Sequence, residues 1–217
     1  MHFLITAGGT REYIDPVRFI SNASSGKMGY ALVRAALGAG HKVTLISAAT
    51  NLRLPAGAKI VFVETCEEMF GAVQKHFKNC DCLIMAAAVS DYTPVCPAKT
   101  KIKKTGKGLT IKLKPTTDIL KWAGKHKKGK SKKVKGKGGK QVVVGFALED
   151  KNLRKKAEKK LKEKNLDMII ANTLAAIGSD KTGVQIKRPD RKWLKLPKAT
   201  KTELAKKIVV LIEGIAS

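Results

Sequence analysis

Six short apolar runs, separated by helical or polar segments, constrain the fold of this chain most strongly. The runs are apolar almost throughout, which is typical of strands that are buried on both faces of a parallel sheet. The predicted strands are HFLITA (2–7), HKVTLIS (41–47), KIVFVE (59–64), CLIMAA (82–87), QVVVGFA (141–147) and MIIAN (168–172). Because strands alternate with helices, we predict right-handed βαβ units and a doubly wound, mainly parallel α/β sheet.

Helix signals fall between these runs. A Thr followed three residues later by Glu has the capping-box spacing, and the chain has it at Thr65 and at Thr200. Apolar residues recur on one face from Met28 to Ala36, and 152–165 is predicted as a lysine-rich helix. Before the last helix, GVQIK and KWLKL flank RPDR and predict a β-hairpin.

Two segments interrupt this alternation. Residues 94–115 begin with prolines and contain one alternating strand pattern, LTIKL, so we predict an arm or flap. Residues 124–140 hold nine lysines and few apolar residues, which predicts a mobile loop. With these two insertions, 1–217 is predicted to form a single domain.

Composition and charge exclude some classes of protein. The chain is 43% hydrophobic, which indicates a globular protein, and no apolar run approaches the roughly 20 residues of a membrane span. The N-terminus lacks signal-peptide features, and the four cysteines lack zinc-ligand spacing, so we expect free thiols in the cytoplasm. The net charge of +27 favours a phosphate-bearing partner. Nucleic acid is the less favoured partner, because aromatic residues make up only 5%.

The segment after the first predicted strand, AGGTREYIDPVRFISNASSGKMG, is the first candidate site. Gly8 and Gly9 permit a tight turn and close approach of a ligand. The residues Ser24, Ser25, Gly26 and Lys27 come at a helix N-terminus, which favours an anion. A structural loop with an ordinary helix cap remains an alternative, although about 2–6 residues suffice for such a connection. A dinucleotide is disfavoured, because LISAAT, at the second strand, offers no acid for the ribose.

Polar residues that follow other strands are further candidates. Asp91, after the AAA of the fourth run, suits a hydroxyl or a metal, or simply begins a helix. Phe146 suits stacking on a base, or packing in the core. In KIKK, Lys101 and Lys103 lie on one side if the segment is extended, and two ammonium groups there suit a triphosphate. A solvated charge run is the alternative for KIKK.

On the predicted helix over 152–165, Lys160 and Lys164 are four residues apart and share one face. Such a pair can bind an anion, or it can form an ordinary solvated helix face. The sequence alone leaves both interpretations open.

Taken in order, the motifs AGGTREYIDPVRFISNASSGKMG, AAAVSDY, KIKK, VGFALE and KNLDMIIAN closely resemble phosphopantothenoylcysteine synthetase. This family is the second half of the bifunctional coenzyme A biosynthesis flavoprotein of many bacteria. The resemblance runs from Phe3 to about Asn172 and implies a Rossmann-like fold. It also implies a homodimer whose arm crosses to the partner. Since the flavin-holding decarboxylase half is not represented, we expect a standalone synthetase without flavin.

The resemblance also implies a reaction. A nucleoside triphosphate, usually CTP in bacteria and with ATP left open by the sequence, activates the carboxylate of 4'-phosphopantothenate in the presence of Mg²⁺ and releases pyrophosphate. The amine of cysteine then attacks the acyl-nucleotidyl intermediate and forms an amide. The metal ligands are not assigned by the resemblance.

The resemblance assigns roles to residues of this sequence. Asn22 would hold the substrate carboxylate and its acyl intermediate, and Lys101 would serve the cysteine-transfer step. The predicted substrate-binding residues are Arg18, which would reach the phosphate, Ser24, Ser25, Gly26 and Lys27. The predicted nucleotide-binding residues are Gly8, Gly9, Ala87, Asp91, Lys101, Thr117, Asp118, Ile119, Leu120, Phe146, Lys160 and Lys164. Thr117 and Thr173 depart from the family pattern, and the lysine-rich loop is not a family feature.

Overall fold

The computed structural model describes residues 1–129 and 140–216. The strands of these residues are β1 (His2–Ala7), β2 (Arg11–Tyr13), β3 (Phe19–Ser21), β4 (Lys42–Ser47), β5 (Lys59–Phe62), β6 (Cys82–Met85), β7 (Tyr92–Pro94), β8 (Leu113–Pro115), β9 (Val142–Leu148), β10 (Met168–Asn172), β11 (Lys181–Lys187) and β12 (Leu194–Thr200). The helices are α1 (Lys27–Gly38), α2 (Cys66–Phe77), α3 (Ile119–His126), α4 (Leu153–Glu163) and α5 (Lys201–Ala216), with a short 3₁₀ helix at Leu174–Ala176.

The main sheet has eight strands in the order β12-β11-β10-β9-β6-β1-β4-β5. The strands from β10 to β5 are parallel, and β11 and β12 form the antiparallel hairpin that the sequence predicts. The prediction of a mainly parallel α/β sheet with a C-terminal hairpin and helix is therefore confirmed. After β5 the chain returns to the other side of β1, so the strand order reverses between β1 and β6. Ligands of such sheets bind beyond the carboxyl ends of the strands at this reversal.

Each face of the sheet is covered by its own apolar layer. Alternate strand residues point to opposite faces, so Phe3 and Ile5 pack in the layer formed with α1 and α5. Leu4 and Leu83 point the other way, where Met69 of α2 belongs to the same buried cluster. Both faces are apolar, which explains why the strands are continuous hydrophobic runs. Within the described residues no helix is long and apolar enough to cross a membrane.

The predicted helix caps at Thr65 and Thr200 are confirmed, but only Thr200 forms the reciprocal bond of a capping box, because the Glu68 carboxylate accepts the N–H of Glu64 instead of Thr65. The Thr65 hydroxyl accepts the N–H of Glu68 at 3.1 Å, and the Thr200 hydroxyl accepts the N–H of Glu203 at 3.2 Å. The Glu203 carboxylate in turn accepts the Thr200 N–H at 2.9 Å. These bonds satisfy donors that would otherwise be free at the starts of α2 and α5.

The prediction of a mobile loop over 124–140 is wrong at its start, because residues 124–126 form the last turn of α3. Asp118 caps this helix by accepting the Lys121 N–H at 2.9 Å. Trp122 then packs its ring edge-on to Phe70, at 5.5 Å between ring centroids, and so joins α3 to α2. Residues 127–129 and 140 belong to no helix or strand, as predicted for a loop, and the remaining 130–139 lie outside the described residues.

The arm over 94–115 contains less strand than its sequence pattern indicates. The predicted strand LTIKL (109–113) is wrong, because β8 begins only at Leu113. At the base of the arm β8 pairs with β7, and beyond it Val95 donates its N–H to Lys112 at 2.9 Å. Alternation of apolar and polar residues does not suffice for a strand without a neighbouring strand that takes up its hydrogen bonds.

Candidate functional site

A cavity of about 590 Å³ opens at the carboxyl ends of the parallel strands, where the strand order reverses. Four groups of residues line it: the segment that leads into α1, the loop after β6, the strand and helix ends around β9, α3 and α4, and residues at the end of β10 and the start of α5. The predicted site residues among them are Asn22, Ser24, Ser25, Gly26, Lys27, Ala87, Asp91, Thr117, Asp118, Ile119, Leu120, Phe146, Lys160 and Lys164. The fold thus brings most of the predicted site residues to one cavity.

The segment that leads into α1 is packed down on the end of β1. Gly8 and Gly26 both have positive φ, and a side chain would be strained there. A Cβ on Gly8 would lie 2.7 Å from the Ala48 carbonyl oxygen, and one on Gly26 would lie 2.8 Å from Thr50. Gly26 caps α1 without a side-chain hydrogen bond, so the N–H groups of the first turn remain available at the cavity.

Asn22 lies at the end of a small hairpin formed by β2 and β3, which the sequence analysis did not predict. Its side-chain nitrogen donates to the carbonyl of Val89 at 3.0 Å and, more weakly, to that of Ala88 at 3.4 Å. The amide is therefore attached to the loop after β6 while it lines the cavity. Both N–H groups of the amide therefore already have acceptors, so an N–H for a ligand must come from the weaker bond to Ala88, while the amide oxygen can accept from a ligand.

The loop after β6 is bonded tightly to the loop after β1. The Thr6 hydroxyl accepts the Ala87 N–H at 3.1 Å, and the Thr10 hydroxyl accepts the Ser90 N–H at 2.9 Å. Ala88 also donates its N–H to the Gly8 carbonyl at 2.8 Å. These cross-links fix the small residues 86–88 as one wall of the cavity, and they place Asp91 on its lining.

On the α3 and α4 side, two lysines and one aspartate are held in defined positions. Lys160 donates its ammonium to the Phe146 carbonyl at 2.7 Å, and Lys164 forms an ion pair with Asp118 at 2.7 Å. Burial lowers the pKa of Lys160, and the positive charge of Lys164 lowers it further. Burial would raise the pKa of Asp118, but hydrogen bonds from Lys164 and the Lys121 N–H outweigh it and leave this pKa below its usual value.

At the opposite end of the cavity, the predicted residue Lys27 is joined by polar residues that the sequence pattern does not predict. Lys27 forms an ion pair with Asp180 at 2.6 Å, and Lys201 lines the same end. Among the described residues, the Asn172 side-chain oxygen is the buried polar side-chain atom without a hydrogen-bond partner, and Asn172 also lines the cavity. The position of Asn172 at a strand end was a usable signal. Lys201 gave none, because only the fold brings α5 beside α1.

Four predicted site residues do not line the cavity of this chain. Gly8 and Gly9 lie beneath the segment 22–26, where a Cβ on Gly9 would be 2.9 Å from the Asn22 carbonyl oxygen. Arg18 lies in the turn between β2 and β3, paired with Asp15. Lys101 is exposed on the arm. Their assignments to substrate and nucleotide remain predictions.

No group of three or more His, Cys, Asp or Glu side chains suited to a metal ion occurs in residues 1–129 and 140–216. Cys66, Cys80 and Cys82 are buried free thiols, and Cys96 is an exposed one. Burial raises the pKa of Cys80 to about 12, so this thiol stays protonated at neutral pH.

Residues 1–215 match the model of the DNA/pantothenate metabolism flavoprotein C-terminal domain. The coenzyme A biosynthesis bifunctional protein CoaBC of Bacillus subtilis is 40% identical over 220 residues, which cover 99% of this chain and 52% of that protein. The chain thus spans about half the length of this curated relative.

Solved structures agree with this match. The C-terminal domain of a coenzyme A biosynthesis bifunctional protein CoaBC is 40% identical, with a TM-score of 0.80, over 98% of this chain and 94% of that one. The DNA/pantothenate metabolism flavoprotein from Streptococcus pneumoniae is 26% identical, with a TM-score of 0.81, over 99% of both chains. The chain belongs to the family of the DNA/pantothenate metabolism flavoprotein C-terminal domain.

Proposed function

We propose that this chain is a phosphopantothenate–cysteine ligase of coenzyme A biosynthesis. The observation that carries the proposal is the single cavity in which Asn22 and the start of α1 face Lys160 and the Asp118–Lys164 pair. A ligase of this type must bring a carboxylate against a triphosphate, so it needs a neutral amide, free N–H groups and ammonium groups around one space. The family membership and the CoaBC relatives support the same activity.

In the first step, a carboxylate oxygen of 4'-phosphopantothenate attacks the α-phosphorus of the nucleotide and displaces pyrophosphate. Both reactants are anions, so the barrier includes their mutual repulsion. Lys160, Lys164 and the N–H groups at the start of α1 would offset this repulsion. Asn22 would donate to the carboxylate and follow its oxygen as the charge changes, because an amide binds without a fixed charge of its own.

In the second step, the amine of cysteine attacks the acyl carbonyl. The bond between the carbonyl carbon and the bridging oxygen breaks, and the nucleoside monophosphate leaves with that oxygen. The attacking amine loses a proton. Lys101 would serve this step from the arm, either as an ammonium that stabilises the leaving phosphate or, in its neutral amine form, as the acceptor of the proton.

CTP is the proposed nucleotide, with ATP as the alternative. The features that support a nucleotide are the Phe146 ring and the Asp91 carboxylate on the cavity lining, together with Lys160 and Lys164. Mg²⁺ commonly binds through one or two carboxylates plus substrate phosphates, and the donor set here fits that pattern. Asp91 would hold the ion, which when bound screens the phosphate charges. No flavin is part of the proposed reaction.

A homodimer is part of the proposal. Apolar side chains are exposed on the β2–β3 hairpin, at the start of β7 and on the arm, and the hairpin and arm touch where Ala98 donates its N–H to the Ile14 carbonyl at 2.8 Å. These side chains are Val17, Phe19, Tyr92, Val95, Leu109 and Leu113. Such a surface is suited to a second copy. Light scattering of the purified chain tests it: a mass of twice 23.5 kDa supports the dimer, and a mass of 23.5 kDa contradicts it.

We place the reaction in the cytoplasm, a reducing compartment in which the four free thiols would persist. The test of the function uses the purified chain with phosphopantothenate, cysteine, Mg²⁺ and either CTP or ATP. Pyrophosphate release and phosphopantothenoylcysteine formation, followed by mass spectrometry, are the expected results, with CTP faster than ATP. Absence of the coupled product with both nucleotides would contradict the proposal.

A further inference from the structure

We propose that Asp15 and Arg18 form a clamp that positions Lys101 for the amide-forming step. The inference rests on the proposed function, since it concerns the second of the two proposed steps. The residue held by the clamp is Ile102, the immediate neighbour of Lys101.

Asp15 is the centre of the clamp. It is 1% exposed, and its carboxylate accepts five hydrogen bonds. One oxygen accepts the N–H groups of Val17 and Arg18 at 2.9 and 2.8 Å. The other accepts two guanidinium donors of Arg18, at 3.0 and 2.5 Å, and the N–H of Ile102 at 3.1 Å. The bond from Arg18 dominates the lowering of the pKa of Asp15, so the carboxylate stays charged at neutral pH.

Arg18 completes the clamp from the other side of the same residue. Its Nη2 donates to the carbonyl oxygen of Ile102 at 2.9 Å. Both main-chain polar groups of Ile102 are thus bound, one by a carboxylate and one by a guanidinium. Two charge-assisted bonds to one residue fix its orientation as well as its position. Because Ile102 is fixed, the side chain of Lys101 starts from a defined point on an otherwise strand-poor arm.

The position of the clamp connects the two predicted catalytic residues. Asp15 and Arg18 occupy the turn between β2 and β3, and Asn22 follows the opposite end of the hairpin. Each of these strands is three residues long, so the turn and Asn22 are about 10 Å apart along the hairpin. Burial of the Asp15 carboxylate costs desolvation, although the Arg18 side chain is 45% exposed, and a turn alone does not require bonds to a distant segment. The bonds to Ile102 are therefore the feature that needs a functional reason.

The experiment compares Asp15→Asn with Lys101→Gln in the two partial reactions. In Asp15→Asn an NH₂ group replaces one carboxylate oxygen. Both oxygens accept hydrogen bonds in the parent chain, and an NH₂ group cannot accept them, so the clamp should open without loss of side-chain volume. With phosphopantothenate saturating, so that a contact of Arg18 with its phosphate does not limit the rate, we expect pyrophosphate release within about twofold of the parent chain and amide formation at least tenfold slower. The double variant should be no slower than Lys101→Gln alone, because both changes affect the same lysine. Multiplying effects in the double variant, or an equal loss of both partial reactions, would overturn the inference.

Two controls keep the test independent of folding. Asp81→Asn makes the same change in an aspartate at the amino ends of the central strands β1 and β6, where it accepts the His2 N–H at 2.6 Å. Both partial reactions should be unchanged in this variant. Ile102→Pro removes the N–H that Asp15 accepts without altering the hairpin. It should reproduce the selective loss of amide formation, and parent-like amide formation in this variant would contradict the clamp.

A readout without substrate separates the clamp from the proposed function. Trypsin cleavage after Lys101, Lys103 and Lys104, followed by mass spectrometry, should be several-fold faster in Asp15→Asn than in the parent chain or in Asp81→Asn. If the parent chain forms no product, the proposed function fails, yet this assay still reports on the clamp. Equal cleavage rates in all three proteins would show that Asp15 does not hold the arm.

Discussion

The cavity and the arm differ in how their lysines are held. In the cavity, Lys160 donates to a main-chain carbonyl and Lys164 is paired with Asp118, so both ammonium groups are fixed before any ligand binds. On the arm, Lys101 is exposed, and what is fixed is the main chain of its neighbour, Ile102. The cavity thus has preset charges, whereas the arm has a preset attachment point for a free side chain.

This difference separates the two proposed steps. Pre-organised charges suit the first step, in which two anions must meet in one orientation. A free lysine on an anchored arm suits the second step, in which a further substrate, cysteine, must reach the acyl group. The account therefore predicts that changes in the cavity affect nucleotide binding and activation, while changes on the arm affect amide formation alone.

Asn22→Asp should have the largest effect. The new carboxylate would face the Val89 and Ala88 carbonyls and repel the substrate carboxylate, so we expect product formation to fall by about 1,000-fold, at the upper end for loss of such a donor. Steady-state product formation measures it. The control Asn79→Asp makes the same charge change on an exposed residue at the amino end of β6. A normally folded Asn22→Asp protein with full activity would remove Asn22 from the mechanism.

Lys101→Gln should have the second largest effect, and it should impair only the second partial reaction. We expect amide formation to fall about 100-fold, the scale of a lost proton-transfer or charge-stabilising group, while pyrophosphate release continues. The two products are measured in the same quenched sample. The matched control is Lys107→Gln, an exposed lysine of the same arm. Loss of pyrophosphate release would place Lys101 in the first step and would contradict the claim that the cavity and the arm serve different steps.

Lys164→Met should weaken nucleotide binding by about tenfold, the value expected for one charge-assisted hydrogen bond. Titration calorimetry with CTP measures the change. The affinity for phosphopantothenate in the absence of nucleotide should stay unchanged. Lys159→Met is the control, because Lys159 is exposed on the same helix and 3.8 Å from Glu163. Equal affinities for CTP in both variants would exclude Lys164 from the nucleotide site.

The smallest predicted effect is a decrease in the affinity for CTP at alkaline pH. Because the pKa of Lys160 is lowered, this lysine loses its proton as the pH rises through a value below 10.5. The ammonium favours the triphosphate, so affinity for CTP should be constant below that pKa and decrease by less than about tenfold above it. In Lys160→Arg the charge persists, and the decrease should vanish. The same decrease in that variant would assign it to another group.

The sequence predicts the central sheet well, because two-sided burial makes each parallel strand a continuous apolar run. It predicts α2 and α5 from their capping boxes, since these depend only on local spacing. Helix α3 is not predictable from its short sequence, because it has only eight residues and depends on Trp122 packing against α2 as well as on its cap at Asp118. The β2–β3 hairpin was missed because three-residue strands have no usable periodicity.

The candidate site was only partly predictable, because part of it is assembled by tertiary contacts that leave no local pattern in the sequence. Motifs carried by a resemblance identify Asn22 and Lys164, but they do not report which residues the fold adds from elsewhere. Lys201 and Asn172 reach the cavity through tertiary contacts between distant segments. The clamp by Asp15 and Arg18 is equally non-local, because it joins a hairpin turn to the arm.

The central claim is that the cavity joins the substrate carboxylate to the α-phosphate of the nucleotide. The most direct test uses phosphopantothenate labelled with ¹⁸O in its carboxylate, with CTP and cysteine, followed by mass spectrometry of the products. The account predicts one ¹⁸O atom in the nucleoside monophosphate and none in pyrophosphate. Label in inorganic phosphate, or none in the monophosphate, would mean that the carboxylate is activated in another way and would contradict the account.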